Sequence, residues 1–431
     1  MDIKITNKQI LLIFGFLYAS LILGFFLDED LAGGATIDFL NHSLPVLESF
    51  KENYFKTDQS PFFFIFLSIL NIPLENITFL RFLYLHICLL APLIFYMCLK
   101  EKFPDINKKI LILLSLVILA SPHFRAYSFW LGDVNIALVF LLSSIFFYLK
   151  INNEKNYDNF YTYIFLNVLC VALAAYFRPI YSIISIYFFY KIFIKFGLSK
   201  KLFLFILLNL LFSIPAFYFL FMVENFFTFN SQNTGPNAYF TPYLFYKPTF
   251  NLYASNILLT SSIIFFYAFP FIWLKKTNLF QKNNITTVTN LIVFISSLIL
   301  TLLFIYNFDY SSPTNEINSG GIFFKVSNLI FNNNLFFYLV SLVSIFLLIR
   351  IIIKKNFNDI LLIILLFGLD PDPFIYHKTY DPLLLCTFLL LFENSLFNQL
   401  NTKNQNTFAI NLIGFYTSFL IMYFLARIAL S

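Results

Sequence analysis

Almost the whole chain is written as runs of roughly twenty apolar residues separated by short polar punctuation, the run length that crosses a ~30 Å hydrocarbon core as an α-helix. Reading the runs against their charged boundaries predicts spans at 9–27, 77–99, 109–121, 132–150, 159–177, 180–197 and 202–222, then at 253–274, 286–306, 334–353, 358–369, 381–392 and 408–428. That makes thirteen crossings. The runs 109–121, 358–369 and 381–392 are short for a full crossing, so each is expected to borrow loop residues or to lie against other helices. The stretch from Pro61 to Leu70 is shorter still and reads as a re-entrant or interfacial helix.

Composition excludes a soluble fold. Only 12% of the 431 residues are charged and 59% are hydrophobic, against about 25% charged in an ordinary soluble domain. A bilayer accepts such a surface because lipid is itself an apolar solvent, provided the backbone satisfies its own hydrogen bonds in helices. The expected fold class is therefore all-α and polytopic: one transmembrane domain over 1–431 with no sizeable soluble domain. The net charge of +6 does not mark a nucleic-acid protein, because the basic residues punctuate the ends of apolar runs and form no stripe. Cys88, Cys98, Cys170 and Cys386 lie inside apolar runs with no metal-ligand spacing and read as inert small hydrophobes. The first run leads into Asp28-Glu29-Asp30 instead of a small-residue cleavage site, so it is kept as a helix and not a leader.

Thirteen crossings place the termini on opposite sides, and Lys plus Arg decide which. Nineteen of the 28 fall on the side of the N-terminus and 9 on the other, so the N-terminus is expected to be cytoplasmic. The acids divide the other way, 15 of 22 lying outside, and all four histidines (His42, His86, His123, His377) fall on or near that outer face. The long loops, 28–60, 223–252 and 307–333, are outer as well. In the first, Leu44, Leu47, Phe50 and Tyr54 recur at three- and four-residue spacings, the pattern of an amphipathic helix lying on the membrane. The second is rich in aromatics and either covers an apolar ligand or rests on headgroups.

Three features could carry chemistry. Asp28, Glu29 and Asp30 stand together at the mouth of the first helix, where mutual repulsion and nearby lipid make them costly. They suit a general base or the ligands of a divalent cation; the competing account is a solvated helix end. Asp58-Gln59-Ser60 runs into Pro61, a sound helix start. Four basic residues, Arg81, Arg125, Arg178 and Lys378, sit at apolar boundaries on the acid-rich side. One would be ordinary snorkelling; four suggest a phosphate or pyrophosphate site.

The layout resembles the GT-C membrane glycosyltransferases, notably the bacterial aminoarabinose transferases and protein mannosyltransferases. The resemblance rests on the acid pair Asp28-Glu29 after helix one, the segment QSPFFF, Arg81 opening the next helix, and SPHFRAYSFWLGDVNIAL with Asp133. Arg178-Pro179 and the late segment HKTYDPLLL (His377, Lys378, Tyr380) complete it. It covers 1–200 well, as a core with outer loop 28–60, the last third loosely and the middle hardly at all. The resemblance implies inverting transfer of a sugar from a polyprenyl-phosphate donor to a lipid, glycan or protein acceptor, at the outer face of a bacterial inner membrane. Asp28, Glu29 and Asp30 would be catalytic, with Asp28 first. Asp58, Gln59, Arg81, Arg125, Asp133, Arg178, His377, Lys378 and Tyr380 would bind substrate.

The rival reading is a transporter or flippase of lipid-linked saccharides. Transporters place ionisable residues and broken helices at the membrane midplane, and the expected spans are nearly free of charge. Single cysteines placed at positions 53 and 104 should label from opposite sides of the membrane. Labelling from the same side would break the helix scheme.

Overall fold

The computed structural model describes residues 5–31, 34–48, 60–71, 76–153, 159–222, 254–274, 287–310, 320–353, 356–369, 375–394, 396–397, 400 and 405–430. Among them the fold is all-helical, without a β-strand. Ten helices among the described residues are long and apolar enough to cross a membrane: Asn7–Phe26, Ile77–Lys102, Asp133–Asn153, Phe160–Phe177, Pro179–Phe196, Lys200–Tyr218, Ser255–Trp273, Thr289–Tyr306, Leu335–Ile353 and Gln405–Arg427.

These account for ten of the thirteen expected spans, and the other three take different forms. The expected span 109–121 is the first arm of a broken pair, Lys108–Ala120 and Pro122–Phe129, bent by 65°. Phe357–Phe367 and Leu383–Leu390 are helices of 11 and 8 residues. At 1.5 Å per residue they measure about 16 and 12 Å, roughly half of a ~30 Å core. Two further differences concern loops. The expected outer loop 307–333 contains the helix Gly321–Phe331, and residues 35–48 are helical throughout, as Ala35–Asp38, a π-helical Phe39–Ser43 and Leu44–Glu48. Pro61–Asn71 is a helix, as expected; Phe50, Tyr54 and the loop 223–252 lie outside the described residues.

Prolines set the interruptions. Pro92 offers no N–H to the carbonyl of Cys88, and the span Ile77–Lys102 is interrupted at Leu89. Pro122 likewise leaves the Ile118 carbonyl without its helical donor, and that carbonyl takes the Ser121 N–H at 3.1 Å instead. Arg178, before Pro179, is extended (φ −137°, ψ 99°), as the clash with a following proline dictates.

The chain divides into two compact units: residues 1–35, 91–129 and 252–431 form one, residues 36–90 and 130–251 the other. In the second, Asp133–Asn153 packs along Phe160–Phe177, and buried Asn167 crosses that seam to donate to the Ser144 carbonyl (2.8 Å) and hydroxyl (3.0 Å). Phe62, Phe63 and Phe66 of Pro61–Asn71 pack their rings against Phe177. In the first unit Ala254–Leu274 packs on Leu335–Ile353, Gly321–Phe331, Leu383–Leu390 and Gln405–Leu430. Its seam with Leu335–Ile353 is lined by small serines: Ser341 donates to the Leu258 carbonyl (3.4 Å) and Ser344 to that of Ser261. Small hydroxyl residues let membrane helices approach closely and bond across the seam.

Asn167→Ala should cost about 0.6 kcal/mol and no more than about 1.7, the range measured for bonds between membrane helices. Denaturant unfolding of the purified protein in micelles measures it.

Candidate functional site

The three adjacent acids that looked alike in sequence have three different jobs. Asp28 is the left-handed residue (φ 51°) that closes the helix Asn7–Phe26. Its N–H bonds the Phe25 carbonyl (3.2 Å), and the Glu29 N–H bonds the Gly24 carbonyl (2.9 Å), the paired bonds of a Schellman cap. Asp tolerates this conformation better than most residues, and its side chain is exposed. Asp30 accepts the Gly34 N–H at 3.0 Å and closes the next turn.

Glu29 alone turns back onto the helix, because the Schellman bond reverses the chain there. Its carboxylate lies over Gly24, where a Cβ would collide with Oε2. Arg125 Nη2 stands 3.9 Å from that oxygen, with the arginine side chain only 4% exposed. Burial pushes the Glu29 carboxyl above the ordinary glutamate range, and Arg125 pulls partly back. The guanidinium also donates to Ser20 Oγ at 3.1 Å, while its buried Nε has no hydrogen-bond partner among the described residues. An unmet buried donor costs about 1–3 kcal/mol, so this arginine is poised to take another acceptor.

Arg125 is held by the short helix Pro122–Phe129, every residue of which is buried. Ser121 caps it by accepting the Phe124 N–H at 3.0 Å, with proline at the first helical position. At 100° per residue, His123 and Tyr127 share one face and Arg125 takes the opposite one. The contacts agree: Arg125 meets Ser20 and Glu29, while His123 and Tyr127 meet the segment 375–382. The His123 and His377 rings stack at 5.1 Å, and Lys378 Nζ lies 5.0 Å above the Tyr127 ring. Ser121 donates to Asp381 Oδ2 at 2.6 Å. Tyr380 is fully buried, its hydroxyl 3.3 Å from Thr260 Oγ1, and it anchors the segment on Ala254–Leu274.

Thus Glu29, Arg125, His377, Lys378 and Tyr380 gather around one short helix in the first unit. In the second unit, Arg81 is sandwiched by aromatics, its guanidinium 3.8 Å from the Trp130 ring centre and 5.8 Å from that of Phe39. Arg178, at the end of Phe160–Phe177, donates to Asp133 Oδ2 at 3.3 Å in the first turn of the neighbouring helix. Asp58 and Gln59 lie outside the described residues. Among the described residues no three His, Cys, Asp or Glu side chains are grouped to hold a metal ion.

No family model matches the chain, and neither a curated protein nor a solved structure shows significant similarity to it. What these residues can do is set by their own geometry. Those the sequence reading did not single out are Ser20, Ser121, Tyr267, Asp381, Tyr416 and Tyr423. Their signal is polarity inside apolar runs: Tyr416 and Tyr423 lie seven apart, on one face of a helix that is otherwise lipid-like.

Two substitutions separate the cap from the carboxylate. Asp28→Gly should stabilise the protein by up to about 1 kcal/mol, since glycine pays no left-handed penalty. Gly24→Ala should displace the Glu29 carboxylate and break its pairing with Arg125. Thermal unfolding of both variants, with and without Glu29→Gln, checks this: Gly24→Ala should lose its effect once Glu29 is neutral and free to move.

Proposed function

We propose that the chain is an inverting glycosyltransferase of GT-C type, which transfers a sugar from a polyprenyl-phosphate donor to a lipid, glycan or protein acceptor at the outer face of the membrane. The observation that carries this reading is Glu29 resting against buried Arg125 just beyond the first helix. An acid with raised proton affinity beside a cation with an unused donor is what such a transfer needs. The acceptor hydroxyl attacks the anomeric carbon as its proton passes to the Glu29 carboxylate. The bond from that carbon to the phosphate oxygen breaks, and the phosphate leaves on the polyprenyl chain with the electron pair. Arg125 and Lys378 stabilise the leaving anion. For Arg81, Arg178, Asp133, Asp58 and Gln59 the substrate-binding roles rest on the resemblance alone.

Glu29 replaces Asp28 as the base because Asp28 is exposed and committed to the helix cap. The N-terminus stays cytoplasmic in this reading; with the broken pair taken as one span the crossings number eleven, which like thirteen leaves the termini on opposite sides.

The broken pair at Ser121 gives the transporter reading its one specific support. Turnover of a panel of polyprenyl-phosphate hexoses by purified protein decides between them. Glu29→Gln should lose about 10²–10⁴-fold in rate while folding normally, and Asp28→Asn should stay near the parent. A base must be unprotonated, so the parental rate should fall as pH drops through the Glu29 range, above the ordinary value of about 4.3, and Glu29→Gln should lack that limb. Parental rates in Glu29→Gln would remove the base assignment. A parent that turns over none of these donors but moves a lipid-linked saccharide across vesicles would establish the transporter.

A further inference from the structure

Asp381 shares the short helix Pro122–Phe129 with the site above but not its chemistry. It is 1% exposed, and only one of its two oxygens is engaged, by Ser121. The other, Oδ1, is buried with no hydrogen-bond partner among the described residues. Around it stands a chain of equally sealed groups. The Tyr267 hydroxyl is a neighbour of Asp381 and lies 2.7 Å from His377 Nε2. His377 stacks on His123, whose Nε2 is 3.1 Å from the Tyr423 hydroxyl. Nδ1 of each histidine and the Tyr416 hydroxyl are also buried without partners among the described residues.

The location is intramembrane by two independent marks. Tyr267 and Tyr416 lie well inside the spans Ser255–Trp273 and Gln405–Arg427. The segment 375–382 is carried between Phe357–Phe367 and Leu383–Leu390, each about half a crossing long. Irregular backbone at that depth is tolerated only inside protein, and an ionisable residue there marks a functional site.

The groups that face Asp381 decide its ligand. From Pro122–Phe129 comes His123, from Ala254–Leu274 Tyr267, from Gln405–Leu430 Tyr416 and Tyr423, and from Leu383–Leu390 Cys386. The two cations in reach, Lys378 on its own segment and Lys325 on Gly321–Phe331, act on the histidines. Neither is paired with the carboxylate in an ion pair. Among the described residues no three such side chains are grouped to hold a metal ion. A proton fits where a metal does not, because it neutralises the carboxylate and uses the idle oxygen.

We propose that Asp381 is an intramembrane proton-binding site, charged and discharged through Tyr267 and His377. Asp381 holds the proton on a carboxyl oxygen. On discharge the proton passes to the Tyr267 oxygen while the tyrosine proton moves to His377 Nε2, leaving a carboxylate, an unchanged phenol and an imidazolium. The reverse step restores the neutral pair. This site does not depend on the glycosyl-transfer reading, and its test does not measure turnover.

Infrared titration of the purified, full-length protein from about pH 5 to about pH 9, a range that brackets perturbed carboxyl groups, tests it. The parent should show the C=O band of a neutral buried carboxyl that disappears as pH rises. Glu29→Gln should keep this band and Asp381→Asn should lose it. Ser121→Ala, which removes the hydroxyl from Oδ2, should shift it, and Tyr267→Phe should keep it but slow its deuterium exchange about tenfold or more. Identical spectra for the parent and Asp381→Asn overturn the proposal. Should Asp381→Asn fail to fold, an unmoved band in Ser121→Ala overturns it equally.

Discussion

Inside a bilayer nothing but the protein itself can satisfy a peptide group, so every interruption of a helix must be answered by another part of the chain. The structure follows from where that rule is strained. Three polar–proline pairs, Ser121-Pro122, Arg178-Pro179 and Asp381-Pro382, interrupt or bound apolar helices. Ser121 and Arg178 are pushed away from helical geometry by the following proline, and at all three pairs the side chain before proline is enlisted elsewhere. The Ser121 hydroxyl caps the next helix and holds Asp381; the Arg178 guanidinium binds Asp133. The demand for backbone satisfaction thus draws polar side chains into a largely apolar interior. Chemistry becomes available as a by-product of making the breaks stable.

Pro122–Phe129 shows how much one break can organise. Its 8 residues are too few to stand alone as a helix, and cap, proline and complete burial fix it instead. Because successive residues rotate by 100°, residues two apart point opposite ways. Arg125 faces the acid beyond the first helix, and His123 and Tyr127 face the segment 375–382. Two chemically distinct clusters are held in fixed register by a single rigid piece.

The sequence made the apolar helices legible because their signal is long and one-dimensional: all ten full-length spans fall where hydropathy and charge place them. It was a poor guide where length and tertiary context compete. The runs 358–369 and 381–392 are apolar enough for spans, but the helices in them stop after 11 and 8 residues, and no local composition distinguishes half a crossing from a whole one. The site was legible as a set of residue types, since Glu29, Arg125, His377 and Lys378 all stood out. Their division of labour was not. Asp28 and Glu29 differ by one residue, but a left-handed φ at the first sends the second back over Gly24, and only backbone geometry contains that fact. Asp381 escaped notice because it reads as a turn residue before proline; what gives it meaning is burial by helices more than a hundred residues away in sequence.

The two carboxylates at the ends of this arrangement could not exchange roles. Glu29 keeps 19% of its side chain exposed, so in the proposed transfer an acceptor hydroxyl would reach it, with Arg125 beside it to oppose a developing negative charge. A group with that access can hand its proton to water between turnovers, as a base must. Asp381 has neither access nor a cation, so its charged form is costly. Among the described residues the Tyr267 phenol and the His377 imidazole, 2.7 Å apart, stand on its relay path. Equal chemistry in solution becomes unequal through burial and neighbours, which is why the two proposals give one acid exchange with substrate and the other retention of a proton. A chain with so few charges can support two such sites because each is paired with a break in the helices, where the protein has already supplied polar partners.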